Sequence, residues 1–183
     1  MLARGHTGRD LVVLAEGAYH GTQSWAGTNR VGVTARDRAD ILTVPWGDLD
    51  ALNKVARIHK DRIAGVMLTP YHHPVFEDQR MPDPGFWPGV RKICDEHAIV
   101  LIIDDVRAGW RLDLMGSGHH FSVKPDLACY SKAMANGYAI SALVGTERMR
   151  ITASKAYFAG SFWCNAPEMA AAMASRRRAP DGG

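Results

Sequence analysis

The sequence predicts an α/β fold: a mostly parallel sheet with helices over both faces. Two observations carry this. Six short apolar runs recur along the 183 residues, several of them separated by segments of helical character. The runs are also apolar throughout instead of alternating, as strands buried on both faces are.

In chain order, "LARGHTGRD" (2–10) reads as the end of a helix, and "LVVLAE" (11–16) as the first strand. "DILTV" (40–44) follows as the second. "DLDALNKVARIHKD" (48–61) places Leu49, Leu52, Val55 and Ile58 on one drifting helical face, with Asp48 as N-cap. "AGVMLT" (64–69) is a strand, and "PGVRKICDEH" (88–97) a helix with Pro88 near its first turn. "AIVLIID" (98–104), "DLACYS" (126–131) and "ISALVG" (140–145) complete the strands. "NAPEMAAAMASRRR" (165–178) is a closing helix with Asn165 as N-cap and Glu168 three residues on, running out into "APDGG". Both chain ends read as cut, so we expect one domain, 1–183, truncated at each end.

Composition narrows the class. Hydrophobic residues at 46% and charged residues at 22% place the chain among ordinary soluble globular proteins. A net charge of +3 is too small to argue for nucleic acid, and the arginines at 176–178 read as a solvated helix end. The longest apolar run, "AIVLII", is far short of a membrane span. Glu16 interrupts "LVVLA" before it could serve as a signal peptide. Cys94, Cys129 and Cys164 are odd in number and lack paired spacing, which points to a reducing, cytoplasmic setting.

In such sheets, ligands bind beyond the carboxyl ends of the strands. Asp104 and Lys132 both lie at such ends. A carboxylate there is costly unless a cation or hydrogen-bond donors meet it, so one reading is a structural Asp–Lys or Asp–Arg pair. The sharper reading is a cofactor with an aldehyde and a protonatable ring nitrogen. Pyridoxal phosphate needs a lysine amine for its Schiff base and a carboxylate facing its pyridinium nitrogen. "EGAYHG" (16–21) adds Tyr19, able to stack on a heteroaromatic ring, and "GSFWCNAPEM" (160–169) adds small donors suited to a phosphate.

"EGAYHG", "LIIDDVRAGWR", "PDLACYSKAMANG" and "GSFWCNAPEMAAAMA", in that order, resemble the class III pyridoxal-phosphate aminotransferases, with glutamate-1-semialdehyde 2,1-aminomutase and its relatives nearest in look. The resemblance implies the large domain of the fold type I PLP-dependent transferases, a three-layer sandwich, here partial. It implies a pyridoxal 5′-phosphate enzyme acting on a small amino acid or amino-aldehyde, as a homodimer. Lys132 matches the Schiff-base lysine, which also moves the substrate proton. Asp104 matches the pyridinium partner and Val106 the apolar side chain behind the ring. Tyr19 matches the aromatic in front, with His20 beside it. Ser161, where threonine is usual, matches the residue reaching the neighbouring subunit's cofactor phosphate. Asp105 is left to hold the loop, through Arg107 or Arg111.

Three departures stand out. The usual Glu-Pro near the ring hydroxyl is Thr69-Pro70, followed by Tyr71, His72 and His73, and either histidine could take that contact. A glycine/serine-rich phosphate loop and the C-terminal small domain are absent from the segment. The pairs His72-His73 and His119-His120 lack any HExxH motif or cysteine cluster, so no metal is expected. The competing reading is a non-catalytic PLP-fold fragment that only binds a partner or oligomerises; a nucleotide-binding domain lacks its GxGxxG.

Overall fold

A computed structural model describes residues 1–27, 30–74, 77–163 and 165–177. Six strands form one sheet: β1 (Leu11–Ala15), β2 (Ile41–Val44), β3 (Ile63–Leu68), β4 (Val100–Asp104), β5 (Leu127–Tyr130) and β6 (Ala142–Gly145). Their spatial order is β2-β1-β3-β4-β5-β6. All neighbouring pairs are parallel except β5 with the edge strand β6. Among the described residues no helix is long and apolar enough to cross a membrane.

Side-chain alternation along the central strands builds two cores. Val66, Leu68, Leu101 and Ile103 face one side, where α2 (Leu49–Ile58) and α3 (Phe86–Glu96) bring Leu52, Val90 and other apolar groups. Ala64 and Val100 face the other, against Leu2 and Ala3 of α1 (Leu2–Thr7) and against Met149, which precedes α5 (Arg150–Lys155). Strands apolar on both faces therefore sit in the middle of three layers, as their composition predicts.

Helix ends follow local chemistry. Asp48 is extended and its carboxylate accepts from the Ala51 N–H at 2.8 Å, an N-cap as expected. The expected face on α2 drifts off the core: Leu52 and Ala56 are buried, whereas Ile58 is 64% exposed. Steps of three residues fall about 60° short of a full turn each, so Ile58 has rotated to the far side. α3 starts at Phe86, earlier than expected, which makes Pro88 its third residue. Its missing N–H is one that no helical carbonyl would have met. α1 ends at Gly8 with φ 69, a left-handed cap. α6 (Ala166–Arg177) begins after Asn165, whose carbonyl accepts from the Met169 N–H at 3.2 Å. Cys164 and the "APDGG" run-out lie outside the described residues.

Asp126, at the amino end of β5, ties the layers together. Its Oδ2 accepts from the Leu101 N–H at 2.8 Å, from Arg91 at 3.0 Å and from Arg148 at 2.8 Å. We expect Asp126→Ala to destabilise the fold by about 2–4 kcal/mol, because a buried N–H and the Arg91 charge lose their acceptor. Arg148→Ala, at a half-exposed site, should cost less than about 1 kcal/mol. Denaturant midpoints measure both, and equal small losses would contradict the assignment.

Candidate active site at the carboxyl edge of the sheet

Because β1, β3, β4 and β5 run parallel, the loops following them emerge at one edge. Asp104 is the last residue of β4 and is paired with Cys129 of β5. Its side chain is nearly buried, and its partner is neither lysine nor arginine. His20, from the loop after β1, places Nδ1 2.6 Å from Oδ2. An ionised carboxylate only accepts, so Nδ1 carries the proton. Oδ1 accepts from the Val106 N–H at 3.2 Å. The His20 ring is fully buried, and its Nε2 has no partner among the described residues. The sequence places His20 beside the aromatic; the structure places it on the carboxylate, 84 residues away.

Lys132 stands two residues past β5, at the start of a single 3-10 turn, Lys132–Met134, and is exposed. Its φ is 46°, left-handed for a residue with a side chain. Such a backbone costs about 1 kcal/mol or more and persists where surroundings impose it, often at functional sites. The imposing contacts are local: the Ser131 hydroxyl donates to the Ile140 carbonyl at 2.7 Å, and the Asn136 N–H to the Lys132 carbonyl at 3.0 Å. Tyr19, next to His20, is 45% exposed at the same edge. Val106 is half-buried. Ser161 lies exposed in the turn before α6, and no hydrogen bond among the described residues joins it to this cluster.

Asp105 corrects an expectation. It holds the loop, but through Ser117, whose N–H donates to Oδ2 at 2.8 Å and whose hydroxyl donates to Oδ1, and not through Arg107 or Arg111. Burial pushes the Asp105 carboxyl above its ordinary value, with the Ser117 bonds opposing. Ser117 begins the four-residue helix α4 (Ser117–His120), which the sequence reading missed; Gly116 and Gly118 beside it were the signal. Gly109 is required by close approach: a Cβ there would lie 2.7 Å from the Asp105 carbonyl and 2.8 Å from the Tyr130 ring.

The two histidines after β3 separate. His72 stacks on Trp46 with centroids 5.3 Å apart, inside the α2–α3 layer. His73 faces the site, where Arg107, Asp104 and His20 are the charges around it. Its Nε2 is buried without a partner among the described residues. Sequence reasoning named both residues and could not choose between them, because consecutive side chains in a loop have no fixed facing.

The sequence model of the family described as "Aminotransferase class-III" matches residues 1–178. The chain belongs to that family. The aminopentol aminotransferase of Sphingopyxis macrogoltabida is 42% identical over 97% of this chain and 42% of its own length. A glutamate-1-semialdehyde 2,1-aminomutase of Roseiflexus castenholzii is 33% identical over 98% of this chain and 45% of its own. The solved PLP internal aldimine form of the FumI protein of Sphingopyxis sp. MTA144 superposes with a TM-score of 0.91 at 42% identity, covering 96% of this chain and 42% of that one. The chain thus spans less than half the length of these class III relatives. Among the described residues no three His, Cys, Asp or Glu side chains are grouped to hold a metal ion.

Burial lowers the proton affinity of both His72 and His73 from the ordinary 6.5, with nearby Arg80 and Arg107 adding to it respectively. Below pH 6.5 the unfolded chain binds protons at these rings that the folded chain refuses, so stability falls as pH drops through that value towards the folded ones. We expect the melting temperature to fall between pH 7.5 and 5.5. His72→Phe, which keeps the stack on Trp46, should shallow that slope, and an unchanged slope would count against a neutral buried His72.

Proposed function

We propose that this chain forms the cofactor floor of an enzyme that moves an amino group by means of pyridoxal 5′-phosphate, by transamination. The observation that carries the reading is the buried Asp104–His20 pair at the sheet edge, one strand from a lysine held in a left-handed backbone. The donor set fits the cofactor that the class III family uses. Asp104 presents a carboxyl group whose sole ion-pair partner among the described residues is one imidazole, a side chain of the type that meets a protonated ring nitrogen. Lys132 is exposed at the same edge.

When bound, pyridoxal phosphate supplies an aldehyde for covalent capture of amines and a protonated ring that accepts the electron pair left on substrate carbon. Asp104, oriented by the His20 N–H and the Val106 backbone, would hold the proton on the ring nitrogen. Lys132 Nζ would supply the amine that the cofactor's aldehyde captures, and the base that holds and moves the proton at substrate carbon. Val106 and Tyr19 would be the apolar and aromatic side chains that hold the ring. Ser161, exposed in the turn before α6, would hold the cofactor phosphate of a neighbouring subunit in a homodimer. Transamination is preferred over 1,2-migration because identities of 42% and 38% to two aminotransferases exceed the 33% to the aminomutase. A small amino compound is the substrate, and the unpaired free thiols Cys94 and Cys129 accord with a cytoplasmic setting.

Borohydride reduction of the PLP-loaded protein should fix the cofactor to the peptide containing Lys132. Lys124 precedes β5 at the opposite edge of the sheet, and Lys155 closes α5. A label on either would overturn the assignment.

Asp104→Asn should preserve the fold and lower turnover at least about tenfold. It removes a charge-assisted hydrogen bond worth about 1.5–3 kcal/mol and weakens the hold on the ring proton. Asp105→Asn, which keeps an oxygen for the Ser117 N–H, should act on melting temperature and leave turnover nearly unchanged. Equal effects of the two on turnover would refute this division of roles.

A further inference from the structure

Tyr130 closes β5 and stands two residues before Lys132. Ile103 pairs with Ala128, so Ala128 and Tyr130 alternate onto the Ile103 face of the sheet. Ser131 is still extended, at φ −165 and ψ −152. A strand continued through Lys132 would return its side chain to the Tyr130 face. The left-handed step at Lys132 ends that alternation, so its place along the chain is set by whatever fixes Tyr130.

The Tyr130 ring is half-buried against the loop after β4. The Trp110 ring packs on it with centroids 4.8 Å apart and planes inclined at 44°. A Cβ at Gly109 would lie 2.8 Å from the ring, and one at Gly116 would overlap its hydroxyl. Two glycines thus keep the space that the ring fills. Trp110 has φ 60, a left-handed backbone that is an outlier for a bulky residue and persists only where surroundings impose it. Trp110 also borders, with Ala133 and Met134 of the lysine's own turn, a cavity of about 1240 Å³ beside α6. Two residues with left-handed backbones, Trp110 and Lys132, are thereby joined through one tyrosine ring. Burial, with Asp105 and Cys129 adding to it, raises the proton affinity of the Tyr130 hydroxyl above its ordinary value. The hydroxyl stays protonated through the neutral range and is no base for the reaction. What the residue offers is shape.

We propose that Tyr130 is a positioning residue for Lys132: packed against Trp110 and the glycines at 109 and 116, its ring sets where β5 ends and holds the turn that presents the lysine. The proposal rests on the reading above that Lys132 carries the cofactor.

The test uses PLP-loaded protein with Tyr130→Leu, Tyr130→Phe or Gly109→Ala, and with Val90→Ala as a control in the buried face of α3. Three quantities are read: melting temperature, the pH midpoint of the cofactor's absorption band, and kcat beside KM for an amine donor. Tyr130→Leu removes the ring and should shift the midpoint and lower kcat at least about tenfold while KM holds, because a misplaced reacting group loses rate before it loses binding. Tyr130→Phe keeps the ring and should keep both values. Gly109→Ala pushes on the ring with an added methyl and should move midpoint and kcat in the direction of Tyr130→Leu. It supplies the measurement if Tyr130→Leu does not fold, and no shift there would then overturn the proposal. Val90→Ala should lower the melting temperature and leave midpoint and kcat unchanged, which separates position from stability. A Tyr130→Leu protein that, like Val90→Ala, loses only melting temperature overturns the positioning role. So does a loss in Tyr130→Phe equal to that in Tyr130→Leu. In both cases Lys132 still labelled by borohydride leaves the cofactor reading intact, whereas no label on Lys132 in the unaltered protein overturns both.

Discussion

A carboxylate held at the end of a buried strand is the constraint on which the rest of this structure depends. Withdrawing an ion from water costs several kcal/mol unless partners are brought to it. For Asp104 the partner is His20, and no local contact could deliver it. β1 must pair with β3, and β3 with β4, before the loop after β1 lies over the end of β4. Gly17, at φ 71, lets that loop turn directly after the strand. The apolar strands and the two-sided helical cover therefore serve the carboxylate: they hold the ladder in register where a polar group sits at its end.

Three aspartates near β4 and β5 meet the same cost in three ways, and the differences sort structure from chemistry. Asp126 takes two guanidinium groups and a backbone N–H at the amino edge, where its Oδ2 joins layers. Asp105 takes only a hydroxyl and an N–H from Ser117, so burial prevails and its proton affinity rises. Asp104 takes an imidazole and one N–H and faces the edge where Lys132 emerges. Among the described residues, only the third stands at the carboxyl edge without a guanidinium or a hydroxyl on it. That distinction lies in partner type and sheet edge, since all three carboxylates are buried.

Much of this was legible in the sequence. All six strands come from apolar runs whose ends match within one or two residues; for β1, β3 and β4 the reason is that a strand buried on both faces tolerates no polar interruption, whereas the edge strand β6 is apolar yet largely exposed. Asp104 and Lys132 were legible for the complementary reason: each is the first chargeable group after such a run. What failed to show was everything decided by facing. Ser117, not Arg107 or Arg111, takes Asp105, because the loop curls back through Gly116 at φ 91 and presents a backbone N–H. The choice between His72 and His73, and the separation of Ile58 from its helical face, likewise depend on rotation about the chain, which spacing encodes only where the period is regular.

The backbone at Lys132 bears on how the site keeps its geometry. A lysine on a regular strand would point to one face of the sheet and could be slid by one register to the other. At φ 46 it is instead fixed by the turn that follows, with Ala135 buried beneath and Ser131 bonded across to Ile140. Those anchors belong to the segment joining β5 to β6, and β6 is the antiparallel edge strand. An antiparallel return over so short a connection brings the chain back beside the strand it left, which closes the loop around Lys132 without a crossover helix. The single departure from parallel pairing in the sheet thus accompanies the lysine, and the strain stored there is held by the strand pair on either side of it.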